Sequence, residues 1–320
     1  MSGWGLVAPL KNVHFAPAAA TVLPLGPPNA QGVREPFPAL ERTYSIGGSG
    51  VQNDMEAYDT SSNSWSSAAQ MPTARLEMAA AVAFGPAVDF DGGSTTAFNI
   101  YVVGGSDGTN PLNTLETFTP LVGFHFRPAG LWTSALAPMP VARTRLAVAA
   151  GPDGRIYALG GFDGSNPLTI VEAYNPNTNS WTTVAPMTTP RDGLAAATGP
   201  DGRIYAIGGF DTDYLSSVEA YDVATNSWTH VASMVHPRYT FAAVTGPDKQ
   251  IYAIGGEFRF ASVNTVEVYN TATNSWSPVA PMTTPRRQLA AAVGKDGRIY
   301  AIGGINNLTG PLATVEAFSP

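Results

Sequence analysis

The side chains that could carry chemistry in this chain are few and scattered. Histidine occurs at 14, 125, 230 and 236, with no pair at the spacing that brings two imidazoles to one metal. Cysteine is absent, which excludes disulfides, thiolate metal sites and a cysteine nucleophile. Asp89-Phe90-Asp91-Gly92-Gly93 begins as a calcium loop begins, but the rest of the ligand set is missing. The glycine-rich segments do not open helices, so they are not phosphate cradles. No metal and no cofactor is expected. What remains is acid–base chemistry, for which Glu77, Asp192 or Glu257 beside Arg145 could supply a pair.

These residues need a framework, and the bulk properties limit it. Hydrophobic residues make up 44% of the 320 and charged residues 13%, enough apolar material for a large core and too few charges for a disordered chain. Thirty-three glycines and 27 prolines point to many turns between short strands. Net charge is −7 and lysine occurs only at 11, 249 and 295. The basic surface that counterion release on nucleic acid requires is missing, so no nucleic-acid partner is expected. No apolar stretch reaches the eighteen or so residues of a membrane helix. Met1-Ser2-Gly3-Trp4 does not open a signal peptide. A cysteine-free chain fits either redox compartment, and localisation stays open.

Self-similarity supplies the framework. Gly-Gly pairs begin at 47, 104, 160, 208, 255 and 303, and the six tryptophans stand at 4, 65, 132, 181, 228 and 276. Each unit has the same order. In one copy it runs Leu194-Ala195-Ala196-Ala197, a Gly-Pro-Asp-Gly turn, then Arg203 to Gly209. A variable loop, Val218 to Asp222, a Thr-Asn-Ser turn, Trp228 and Pro237-Arg238 follow. That is four strands separated by turn chemistry, with no sustained helical period. The Asp-Gly step predicts a type I′ hairpin. The alanine-rich first strands suit the crowded axis of a radial array.

The ends close that array. Trp4-Gly5-Leu6-Val7-Ala8-Pro9 matches Trp181 to Pro186, so the chain opens on a fourth strand, and it ends at 315–320 on a third strand. The expected fold is all-β, a six-bladed β-propeller of four-stranded antiparallel blades over 1–320. Blade six combines 286–320 with 1–10. Blade one spans 11–71, two 75–139, three 143–187, four 191–234 and five 238–282.

The Gly-Gly pair, the Glu-x-Tyr/Phe of strand three, the tryptophan and the Met-x-x-Pro-Arg closely resemble the kelch repeat, over essentially the whole chain. The resemblance fixes fold better than function, because one fold hosts many sites. It implies several known activities. A copper radical oxidase needs a cysteine–tyrosine pair, which this chain cannot supply. A specifier-type iron site needs aspartate four residues after glutamate, and no glutamate here has one. The chain lacks the adaptor regions that ubiquitin-ligase members carry, and resembles a stand-alone propeller.

The repeated residues read as braces between blades: Glu56, Glu116, Glu172, Glu219, Glu267 and Glu316 on the third strands, with Arg75, Arg143, Arg191, Arg238 and Arg286, and His14 in the sixth place. Function should lie where the units differ. The resemblance implies a ligand face built by the loops after strands two and four. Its residues here are Ser106, Asp107, Phe162, Phe210, Glu257, Phe258, Arg259, Asn306 and Asn307 after Gly-Gly. After Pro-Arg they are Phe15, Glu77, Arg145, Asp192, Tyr239 and Arg287. This polar and aromatic set suits a peptide or a sugar, or is an ordinary solvated rim. On the opposite face, insertions at 22–41, 85–98 and 119–131 emerge together. There Phe124, His125, Phe126 and Arg127 form either a second contact surface or a cap. The expected function is a non-catalytic, monomeric binding propeller that recognises a protein segment or glycan. The alternatives are a mutarotase- or epimerase-like sugar enzyme in the same bowl, and a scaffold or engineered template without a specific small ligand.

Overall fold

The computed structural model describes residues 3–22, 25–28, 34–36, 42–48, 52–88, 94–120 and 130–320. Among them are no helices, and six four-stranded antiparallel sheets form the body. Blade four is representative: Ala195–Thr198, Ile204–Ile207, Val218–Asp222 and Ser227–Val231 pair in chain order. Its second strand is wholly buried, while the fourth, at the rim, is mostly exposed. The first strands contact one another in a closed cycle, Ala18–Val22, Ala79–Val88, Ala147–Ala150, Ala195–Thr198, Ala242–Thr245 and Ala290–Val293, and back to the first. Small side chains let six strands crowd one axis.

Ring closure follows the sequence reading. The N-terminal strand Trp4–Val7 pairs with Val315–Phe318, Trp4 opposite Phe318 and Val7 opposite Val315. Blade six is therefore one strand from the start of the chain and three from its end. The core is divided in the same way. Its buried clusters each straddle two neighbouring blades, so no blade has a core of its own.

Polar bonds fix how blades meet. Every tryptophan sends its indole N–H to an alanine carbonyl of the preceding blade, as Trp228 does to Ala185 and Trp4 to Ala280, both within 2.9 Å. The asparagine two residues before four of these tryptophans takes a left-handed backbone at Asn63, Asn179, Asn226 and Asn274. That turn aims its side-chain carbonyl back at the preceding blade, where Asn226 accepts the Ala185 N–H at 2.9 Å. Such a geometry is tolerated by asparagine far better than by branched residues.

The turn between the first two strands differs from the sequence expectation. It is not type I′, because Asp153, Asp201 and Asp296 keep negative φ and only the following glycine is left-handed, Gly154 at 79°. The Gly154 N–H bonds the Gly151 carbonyl, and the Gly151 N–H bonds that of Arg155. This is a type I turn closed by a left-handed residue. Proline at its second position and an aspartate that accepts the Arg155 N–H and the Tyr157 hydroxyl favour it over the mirror-image turn.

Candidate functional site

The face bearing the Gly-Gly and Pro-Arg loops is built in layers. The lowest is buried and structural. Arg75, Arg143, Arg191, Arg238 and Arg286 are wholly buried, each paired with the strand-three glutamate of the blade it enters at 2.7–3.0 Å. The same guanidiniums bond the carbonyl of the first glycine of the Gly-Gly pair, as Arg191 does to Gly208. A charge so buried is tolerable only when paired and hydrogen-bonded; the terminal nitrogens meet that need, while Nε of Arg75, Arg191, Arg238 and Arg286 is buried without a partner. Burial alone would push these carboxyls up. In Glu219 the Thr188 amide and hydroxyl, with Arg191, reverse this and hold it below the ordinary range.

Above it, six residues close a ring of their own. Ala16, Glu77, Arg145, Gly193, Thr240 and Gln288 all have φ between 48° and 55°. Each donates its N–H to the carbonyl of the equivalent residue one blade back, from Glu77 to Ala16, Arg145 to Glu77, and so on to Ala16 on Gln288, at 2.7–3.3 Å. This backbone ring narrows the axial channel to a cavity of ≈ 80 Å³, lined also by Met78, Leu146, Leu194, Phe241 and Leu289. Small-molecule sites are typically several hundred Å³, so the axis itself holds little more than waters or the tip of one side chain.

The top layer holds the predicted residues, in two registers. Glu77 and Arg145 belong to the ring, two positions after the buried arginine. Asp192, Tyr239 and Arg287 stand one position after it and pair instead with the residue after Gly-Gly: Asp192 with Phe210, Tyr239 with Glu257, Arg287 with Ile305. Phe15 also stands one position after its anchor, His14. The two registers nevertheless converge. Arg145 bonds Asp192 at 3.0 Å and the Tyr239 hydroxyl at 2.6 Å, lies 3.9 Å from Glu77, and stacks 4.6 Å above Phe162. Burial pushes the Asp192 carboxyl up against the opposing pull of Arg145, and burial with the Asp192 charge pushes the Tyr239 phenol up. Asp192 Oδ1 and Thr240 Oγ1 are buried with no hydrogen-bond partner.

A second group lies over blades four to six. Arg287 bonds buried Glu257 at 2.8 Å, and Glu257 accepts the Tyr214 hydroxyl at 2.8 Å. Tyr214 touches Phe210, Tyr239, Phe258 and Phe260 edge to face, with centroids 5.5–6.4 Å apart. This aromatic ridge ends at Phe260, 81% exposed, beside Arg259; Leu308, 94% exposed, stands on the neighbouring loop. Tyr214, Phe260, Thr240, Gln288 and Leu308 were missed in the sequence. The first, second and last lie in variable loops without a repeat anchor. The other two are two residues after an arginine, and the forced left-handed glycine at 193 was the available signal. Ser106, Asp107, Asn306 and Asn307 shape loops instead: Asp107 accepts the Thr109 and Asn110 amides, Asn306 those of Leu308 and Thr309, and Asn307 accepts the Ser262 amide.

Charge divides unevenly between the two faces. Outside the buried layer of strand-three glutamates and their arginines and histidine, the Gly-Gly face carries Asp54, Glu77, Asp107, Asp163, Asp192, Asp211, Asp213 and Glu257 against Lys11, Arg145, Arg259 and Arg287, so acids exceed bases by four among the described residues. On the other face the charges pair locally, Asp201 with Arg203 at 2.8 Å, Asp296 with Arg298 at 2.7 Å and Arg42 with Asp59 at 3.0 Å. Of the insertions, the described part of 85–98 lengthens the hairpin of blade two, Ala79–Val88 against Ser94–Val103. Phe124, His125, Phe126, Arg127 and the Asp89–Gly93 segment lie outside the described residues.

Comparison with known proteins agrees with this architecture. A family model described as the KLHDC2/KLHL20/DRC7 Kelch-repeats domain matches residues 41–256, and one described as the Kelch motif matches 238–283 and 286–320. Kelch-like protein 33 of Homo sapiens is 31% identical over 162 residues, 48% of this chain, which spans 28% of that protein's length. Among solved structures, that of YjhT superposes with a TM-score of 0.72 over 97% of this chain and 95% of that one, at 13% identity.

Proposed function

The chain belongs to the kelch-repeat family, and on that premise we propose that it is a protein-binding propeller whose Gly-Gly/Pro-Arg face takes a partner segment carrying basic and apolar side chains. One observation carries this reading: the aromatic ridge from Phe210 through Tyr214 to exposed Phe260, set in a face where acids outnumber bases. Exposed aromatics backed by other aromatics are the usual anchors of interfaces, and the excess of acid favours a cationic segment over an acidic one. Arg145 and Arg287 are already engaged by carboxylates of the same face, so they orient those acids and are poorly disposed to bind an anion. Asp192 Oδ1 and Thr240 Oγ1, without partners at the channel mouth, are suited to the tip of one cationic side chain.

Selection from a displayed random-peptide library tests this. The peptides recovered should interleave Lys or Arg with an aromatic or aliphatic residue, and their affinity should fall with salt. It should drop at least ~10-fold in Phe260→Ala and Tyr214→Ala and be unchanged in Arg203→Ala on the opposite face. Recovery of acidic peptides, or indifference to both aromatic substitutions, would overturn the reading.

A sugar-directed reaction in the same bowl has one observation in its favour. Asp192 and Tyr239 both hold their protons more tightly than usual, beside Arg145, as an acid–base pair would. NMR of anomer interconversion across a panel of sugars decides this: turnover lost in Asp192→Asn supports it, and no turnover dismisses it.

A further inference from the structure

Blade one breaks the repeat at two positions that touch. Where five blades carry the buried arginine, it has His14. Where the equivalents, two residues before the strand-three glutamate, are Thr114, Ile170, Ser217, Thr265 and Thr314, it has Asp54. In the other blades one guanidinium balances one carboxylate. Here a wholly buried imidazole faces two, with His14 Nε2 at 3.0 Å from Asp54 Oδ2 and 3.7 Å from Glu56 Oε1. Even a protonated imidazole balances just one of the two carboxylates and leaves the other to the solvent that reaches the Asp54 side chain, 21% exposed; a divalent cation with neutral histidine balances both.

We propose that His14, Asp54 and Glu56 form a divalent transition-metal site of the zinc class. Nitrogen and oxygen ligands at zinc bond lengths stand ~3.3 Å apart around a tetrahedral ion, and the two separations above bracket that value. One imidazole with two carboxylates suits zinc, manganese or iron(II) better than calcium or magnesium.

The surroundings hold the three ligands in place. Ser45 Oγ lies 2.8 Å from His14 Nδ1 and can accept from it, which frees Nε2 to ligate. The Lys11 and Asn12 amides donate to Glu56 at 2.8 and 2.9 Å, and the Asn12 side chain donates to Asp54 at 3.1 Å. Asp54 Oδ1 is buried without a hydrogen-bond partner. An open pocket lined by Asn12, Val13, Asn53, Asp54 and Gln70 adjoins it, giving entry and room for water ligands. His14 lies on the segment that joins the N-terminal strand of blade six to blade one, and Asp54 and Glu56 lie on the blade-one strand Gln52–Asp59, so the metal would tie that segment to blade one and with it ring closure.

The test uses the full chain, treated with chelator, dialysed and titrated with zinc chloride alone. The expected result is one ion per chain by calorimetry, with a thermal midpoint raised by several degrees. His14→Ala should lose both. The doubly substituted His14→Arg, Asp54→Thr chain, which restores the pattern of the other blades, should fold and melt cooperatively but bind no zinc. Failure of the parent chain to bind zinc would overturn the proposal. Undiminished binding by the double variant would too, since the ion would then sit elsewhere, as at exposed His236.

Discussion

In five blades a buried arginine meets a glutamate, and the blades differ in what else that glutamate receives. Glu219 and Glu316 each take a threonine amide and hydroxyl at 2.7–2.8 Å, from Thr188 and Thr283. In blade three the matching residue is Pro140, which has neither donor. Glu172 Oε1 is left buried without a partner, and burial pushes its carboxyl up, only partly offset by Arg143. Pro140→Thr should therefore stabilise the protein by about 1–3 kcal/mol near neutral pH. A raised folded pKa means that Glu172 favours folding most at low pH, and that this is lost as pH rises through the interval between its unfolded and folded values. The gain from Pro140→Thr should accordingly shrink in acid. Urea denaturation near pH 7 and near pH 4 measures both; an equal effect at the two would contradict the assignment. Breaking the pair, as in Arg191→Ala, strands Glu219 as an unpaired buried charge and should cost about 3–5 kcal/mol, read from the same denaturation curves. That these residues are structural was legible in the sequence because they recur, but the expected brace between blades is not what they form: each arginine and its glutamate lie within one blade, as Arg191 and Glu219 do in blade four. The bowl was harder to read. Glu77 and Arg145 look equivalent to Asp192 and Tyr239 by chemistry, yet counting from the buried arginine puts the first two at the second position and the others at the first, and the left-handed backbone of the second position is what gives that offset its structural meaning.

At the scale of elements, turn geometry departs from what dipeptides suggest. The Gly-Pro-Asp-Gly turns put just one residue in the left-handed region. Blade five has Lys249 there, at φ 63°, where three other blades have glycine. Lys249→Gly should stabilise by about 1 kcal/mol, visible as a raised thermal midpoint; a drop would mean that the lysine side chain contributes something there. The ring of six left-handed residues makes a sharper case. At Gly193 an added Cβ would collide with the Tyr239 ring. Gly193→Ala must push Tyr239 away from Arg145 and Asp192, disturbing the bowl with no change of charge. Strand order, strand content and the shared sixth blade were all readable, because period and turn residues carry them. The ridge was not, since Tyr214, Phe260 and Leu308 sit in loops that follow no period.

For the whole molecule, closure and charge matter most. Each cluster of the core spans two blades, so removing one strand exposes two. Deleting residues 1–10 would strip blade six of Trp4, which stacks on Phe318 at 5.3 Å and bonds Ala280. Cooperative unfolding should be lost or the midpoint sharply lowered; an unchanged melting curve would contradict closure through that strand. On the proposed function, the charge asymmetry would direct a partner to the acidic, aromatic face rather than to the locally neutralised one. Hydrogen exchange with and without a selected basic peptide tests that claim most directly. Protection is expected at 210–214, 239–240, 257–260 and 305–308, around the ridge and the channel mouth. Protection confined to the turns at 153–155, 201–203, 248–250 and 296–298, on the opposite face, would contradict it.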